Sequence, residues 1–211
     1  DTPQTFYDPD FIFSEVEKHL DKISIDDIPD YLTFVSNGEP TLDINLGKTI
    51  KKLKSLGFPI AVITNASLLN SKEVRKNLKH ADWVSVKVDA NDEEVWKNIN
   101  RPHQSIHFDD YIHGLLKFTG KFKGILTTET MLVEGVNDST RILSNTANLI
   151  STINPVKAYL SIPIRPPAIS TVNAPSETII NKAYQIFHWK VAQTELMLGF
   201  EGTGLGSTGN P

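Results

Sequence analysis

Polar side chains recur at one kind of position in this sequence, at or just past the end of an apolar, β-branched run. Glu39 stands in "FVSNGEPTLD" (34–43), Asn65 in "VITNAS" (62–67), Lys87 and Asp89 in "SVKVDAND" (85–92), and Arg165 in "IPIRPPA" (162–168). A carboxylate at such a place suits an amino group or a pair of ribose hydroxyls, whereas lysine and arginine suit a carboxylate or phosphate. Gathered on one rim, the set would suit a zwitterionic or polyhydroxylated ligand. The plain alternative for each residue alone is that strand-end polar groups cap helices and satisfy turns.

What gathers them is the order of elements. β-rich runs at 31–35, 59–64, 83–88, 124–133, 156–162 and 195–200 alternate with helical periodicity at 11–20, 44–56, 72–78, 93–99, 108–119, 140–150 and 176–190. In the first helix Phe11, Ile12, Val16 and Leu20 have the spacing of one apolar face, with Asp10 as its cap behind Asp8-Pro9. Near-continuous apolar strands separated by helices indicate βαβ units and a parallel sheet. About six strands in 211 residues predict an α/β fold, an open, partial (β/α) barrel, because a closed eight-stranded barrel takes about 250 residues. A doubly wound sheet is the runner-up. In either fold, ligands gather at the C-terminal ends of the strands. Glu134, Asn137 and Asp138 after the fourth strand, Ser161 at the fifth and Glu201 after the sixth join the same rim.

Composition narrows the function classes. Apolar content of 39% and charged content of 22% fit a globular protein, and no run approaches the roughly 18 apolar residues of a membrane span. The absence of a signal-peptide layout points to the cytoplasm. A net charge of −4 argues against a broad cationic surface for nucleic acid, and Lys48, Lys51, Lys52 and Lys54 read as a solvated helix face. Six histidines include His103, His107 and His113, but no His-Glu-x-x-His spacing occurs, nor a Gly-x-Ser-x-Gly elbow or a Gly-Lys-Thr loop. There is no cysteine, which removes disulfides, thiolate nucleophiles and cysteine-ligated metal from these residues. The sequence begins at Asp1 without methionine and ends "GSTGNP", so residues 1–211 are expected to be one domain truncated at both ends.

Taken in order, "SNGEPTLD", "VITNASLL", "VSVKVDA", "INRPH", "TTETMLVEGVND" and "IPIRPPA" resemble the radical S-adenosylmethionine (radical SAM) superfamily. More narrowly they resemble its iron–sulfur oxidoreductase branch related to the tRNA wybutosine-synthesis enzyme. The likeness runs from about Phe6 to Asn210. It implies a partial barrel in which Gly38, Glu39 and Pro40 lie near the amino group of S-adenosylmethionine (SAM). Asn65 would face cofactor or substrate, Lys87 and Asp89 the ribose or the methionine carboxylate, and Arg165 the far side of the rim. Relatives commonly carry a small polar residue where Lys87 stands. The resemblance further implies reductive cleavage of SAM by a [4Fe–4S] cluster fed by an electron donor, giving a 5′-deoxyadenosyl radical that abstracts hydrogen from a substrate. The superfamily holds that cluster on a Cys-x3-Cys-x2-Cys loop after its first strand. Here the loop would fall before Asp1, and the first strand with it.

Kinship with a tRNA-modifying enzyme points to tRNA as substrate, against which stands the acidic balance; small molecules, peptides and proteins stay open. Two other classes compete with the radical enzyme. One is a non-radical lyase or aldolase using Lys87 as a Schiff-base amine beside Asp89. The other is a degenerate, non-catalytic binding module on the same barrel.

Overall fold

The computed structural model describes residues 2–35, 38–163 and 172–197. Its strands are β1 (Leu32–Phe34), β2 (Ile60–Thr64), β3 (Trp83–Lys87), β4 (Ile125–Met131), β5 (Lys157–Ser161) and β6 (Thr194–Met197). Its helices are α1 (Pro9–Leu20), α2 (Leu46–Leu53), α3 (Lys72–Leu78), α4 (Glu93–Asn100), α5 (Phe108–Thr119), α6 (Thr140–Ile153) and α7 (Glu177–Lys190). All six strands are parallel and lie side by side in chain order. A doubly wound sheet reverses its strand order at a switch point. This sheet never does, so it is the wall of a partial barrel.

Strand register separates two faces. Val62, Val84, Val86, Ala158 and Leu160, on one face, are fully buried in the core built with the helices. The other face carries Ile63, Ser85, Lys87, Glu129, Tyr159 and Ser161 on neighbouring strands. It is the open face: Ile63 is 43% exposed and Ile125 42%. Strand alternation of period two explains the split, since a parallel strand covered on both faces would be apolar throughout.

Helix ends follow local chemistry. Ser71, Asp92 and Ser139 each accept a backbone N–H of the first turn of α3, α4 and α6. The cap of α1 is Asp8, not Asp10: its carboxylate accepts the amides of Asp10 and Phe11. Pro9 takes the first helical position, where its missing N–H costs nothing. Phe11 does not share the apolar face with Ile12 and Val16. It lies about 100° around the helix from Ile12 and is 54% exposed, while Ile12 and Val16 pack on the core. Ser176 sits at the N-cap of α7 without a side-chain bond, and its carbonyl receives Ile179 and Ile180.

Gly114 of α5 fits where no other residue does. A Cβ there would stand 2.2 Å from the Asn70 amide nitrogen and 2.4 Å from the Leu69 carbonyl carbon. Those backbone atoms belong to the turn after β2, so Gly114→Ala must push α5 away from the rim. It is expected to lower stability by about 2 kcal/mol, checked by denaturant unfolding.

Candidate active site

The rim begins at Glu39. This residue precedes a single 3-10 turn (Pro40–Leu42) and caps it through the amide of Thr41. Its Oε1 accepts the Thr41 amide at 3.1 Å, the Thr41 hydroxyl at 2.6 Å and the Thr64 hydroxyl at 2.6 Å. Its Oε2 accepts the Asn65 amide at 2.8 Å. The carboxylate therefore ties the loop after β1 to the end of β2. A carboxylate has about four acceptor sites, so Oε1 is fully used and Oε2 retains one.

The end of β2 is shaped by the same bonds. The Thr64 hydroxyl accepts the amide of Ala66, and Ala66 is held, fully buried, at φ +63°. That left-handed conformation is costly for a residue with a Cβ. Asn65 Oδ1 accepts the amide of Ser67 at 2.9 Å, closing a turn of its own. Among the described residues the Asn65 Nδ2 group has no partner, so what Asn65 offers a ligand is a donor.

Asp89 is 1% exposed, and three groups bury it. Its Oδ1 accepts the Met131 amide at 2.8 Å and lies 3.4 Å from Lys87 Nζ. Its Oδ2 accepts Asn100 Nδ2 at 2.7 Å. Asp89 is thus an organiser: it holds Lys87 on one side and the end of α4 on the other. Asn137 locks the next loop, donating to the carbonyls of Asp89 and Met131 while accepting the amide of Val133. Asp138 accepts the Gly135 amide. The Tyr111 hydroxyl donates to the Lys87 carbonyl at 2.9 Å, and burial first, then the charge of Asp89, pushes its pKa up from the ordinary tyrosine value.

A cavity of about 350 Å³ opens among these groups, lined in part by Glu39, Asn65, Lys87, Asn100, Arg101 and His103. Arg101 closes α4 at φ +44° and turns the chain into the Pro102-His103 segment along the cavity. Asn100 Oδ1 is buried with no hydrogen-bond partner among the described residues. An orphaned acceptor in a cavity wall is a place for a ligand donor. A second, smaller cavity of about 130 Å³ runs beside it on the open face, lined by Gly38, Glu39, Ser85, Lys87 and Glu129.

Glu39, Asn65 and Lys87 therefore converge as the sequence predicts. Gly38 and Pro40 flank Glu39, although Pro40 is buried and lines neither cavity. Asp89 stands behind Lys87. Ser161 points along the open face to Glu129, at 2.8 Å. Arg165 and Glu201 lie outside the described residues. Sequence reasoning missed Asn100, Glu129 and Tyr111, and placed Thr41 and Thr64 at strand ends without their shared partner Glu39. The "INRPH" motif held a signal for Asn100. Glu129 sits mid-strand in "TTETM", where a charged residue among β-formers was itself the signal.

Residues 3–144 match the family model described as the Radical SAM superfamily. The UPF0026 protein MJ1312 of Methanocaldococcus jannaschii is 41% identical over 199 residues, which cover 93% of this chain and 62% of the relative. The chain thus spans about three-fifths of that relative's length. Among solved structures, TYW1 with a lysine-pyruvate adduct bound superposes with a TM-score of 0.65 at 16% identity, covering 88% of this chain and 64% of that one. Streptococcus suis SuiB bound to S-adenosylmethionine gives 0.67 at 9%, covering 93% and 44%. At such identities these two show a shared fold. With the family match over residues 3–144 and the strand order, the chain belongs to the radical SAM superfamily.

Proposed function

We propose that the rim binds SAM and that the chain is the core of a radical SAM enzyme acting on a substrate at the open face. The observation that carries this reading is the convergence of Glu39, Asn65 and Lys87 on one cavity of about 350 Å³ whose wall holds an orphaned acceptor. The donor and acceptor set fits the ligand. Gly38 offers a backbone carbonyl, and Glu39 its remaining Oε2 acceptor site, to an ammonium, while Pro40 shapes the turn behind them. The Lys87 ammonium and the Asn65 amide group offer donors to a carboxylate. Asn100 Oδ1 offers an acceptor to a ribose hydroxyl. Arg165, just past β5, is retained as a further cofactor or substrate contact.

When bound and reduced by an iron–sulfur cluster, SAM supplies radical hydrogen-abstraction chemistry; the protein supplies position and exclusion of water. The cluster itself does not fit these residues. They contain no cysteine, and the described residues contain no group of three histidine or acidic side chains arranged for a metal. We place the cluster ligands and the docking of an electron donor on protein outside these 211 residues.

Asp89 bears on the competing lyase. Lys87 is engaged by a buried carboxylate at 3.4 Å rather than presented alone to a carbonyl carbon, as a Schiff-base amine would be. Lys87→Met keeps the length of the side chain and removes the charge. It is expected to weaken SAM about tenfold in calorimetric titration of this chain, the worth of one charge-assisted hydrogen bond. Equal affinity in the variant would remove Lys87 from the site.

A further inference from the structure

The open face has an electrostatic imbalance that SAM alone does not correct. In the row Lys87, Glu129, Tyr159 and Glu195, neighbours on four adjacent strands, two of the charged groups have partners elsewhere. Lys87 turns to Asp89 at 3.4 Å, and Glu195 is held by Lys157 at 2.6 Å, with Lys157 also over the Tyr159 ring. Glu129 has no cation partner among the described residues. Its Oε1 accepts the hydroxyl of Ser161, itself nine-tenths buried, and its Oε2 has no partner among the described residues. The residue is half-buried and lines the cavity of about 130 Å³.

Among the described residues, Glu39 and Glu129 line that cavity with Asp89 behind them, three carboxylates against the one ammonium of Lys87. Glu39 is satisfied by four protein donors, and Asp89 by three. SAM carries one net positive charge, so with SAM bound these four described residues still leave one negative charge. A half-sheltered carboxylate without a counter-charge is unfavourable, and such groups are normally paired. Ser161 fixes its orientation, which makes Glu129 a preorganised acceptor.

We propose that Glu129, oriented by Ser161, is the substrate-recognition group of the open face, and that it selects a substrate presenting an alkylammonium. The inference deepens the SAM-binding reading and rests on it for the direction of the chemistry. A substrate amine on Glu129 would lie on the face of the sheet beside Lys87, next to the cavity assigned to SAM.

The test uses n-butylammonium as probe on this chain, followed by backbone amide NMR, with butyrate and 1-butanol as matched controls. Butylammonium is expected to shift the amides of Ser85, Glu129 and Ser161 with a millimolar Kd, to do so equally with SAM present, and to outbind both controls. Glu129→Gln, which keeps the Ser161 bond, should raise that Kd about tenfold. Ser161→Ala should raise it by a smaller factor. Butyrate binding as well as butylammonium, unchanged affinity in Glu129→Gln, or displacement of the probe by SAM would each overturn the proposal. SAM is titrated separately. Probe binding without SAM binding upholds Glu129 and removes the cofactor reading; SAM binding without probe binding does the reverse.

Discussion

Replacing Glu39 with alanine is expected to abolish measurable SAM binding and to lower stability by about 2–3 kcal/mol. The binding loss does not come from removing a direct ligand alone. The Glu39 carboxylate joins two strand ends, and its four donors are the Thr41 amide and hydroxyl, the Thr64 hydroxyl and the Asn65 amide. Without it, several of these donors lose their acceptor, and each unsatisfied group costs about 1–3 kcal/mol when it cannot reach water. Part of that loss is recovered, because the Asn65 amide lies at an exposed position. The loop carrying Gly38 is then no longer pinned to β2, and the Gly38 carbonyl offered to the ammonium moves with it. Glu39→Gln is the informative partner. It keeps one carbonyl oxygen for the threonines but presents an amide group to the Asn65 amide, so it should fold nearly normally and still bind SAM at least tenfold more weakly. Calorimetry and thermal unfolding on the two variants separate the roles. Wild-type affinity in Glu39→Ala would show that the loop holds without its carboxylate and that the site is elsewhere.

Asp89→Ala should be the most destabilising single change, at about 3–5 kcal/mol. It strips a buried carboxylate from Lys87, Asn100 and the Met131 amide at once. Its removal leaves the Met131 amide and the Asn100 amide group without their acceptor, each at about 1–3 kcal/mol, while Lys87, whose side chain is 27% exposed, loses its partner at a smaller cost. For a chain of this size that corresponds to a fall in Tm of about 10 °C. Lys87→Met placed on the Asp89→Ala background should recover part of the loss, since it removes the stranded charge. A double variant no more stable than Asp89→Ala would mean that the cost arises from Asn100 and Met131 instead.

The two residues also show how far the sequence could be read. Strand order was legible because each β-rich run is separated from the next by helical periodicity, and the bounds of α3 and α5 coincide with it. The convergence of Glu39, Asn65 and Lys87 followed from topology alone, since parallel strand ends share a rim. The roles within that rim were not legible. Whether Glu39 is free or committed depends on Thr64, which is 25 residues away. Asp89 reads as a strand-end residue, yet Met131, 42 residues on, encloses it. Glu129 escaped a search of strand ends because it stands inside a strand, and its meaning depends on which face of the sheet the helices leave uncovered. Local propensity carries no information about that choice; it is set by packing of the whole sheet.

The direct measurement is where SAM binds on this chain, by amide chemical-shift mapping during titration, with S-adenosylhomocysteine as a control lacking the sulfonium charge. The account predicts saturable shifts concentrated at Gly38, Asn65, Lys87 and Asn100, lost in Glu39→Ala. Shifts centred elsewhere, or none at millimolar SAM while the amide spectrum shows a folded chain, would contradict it.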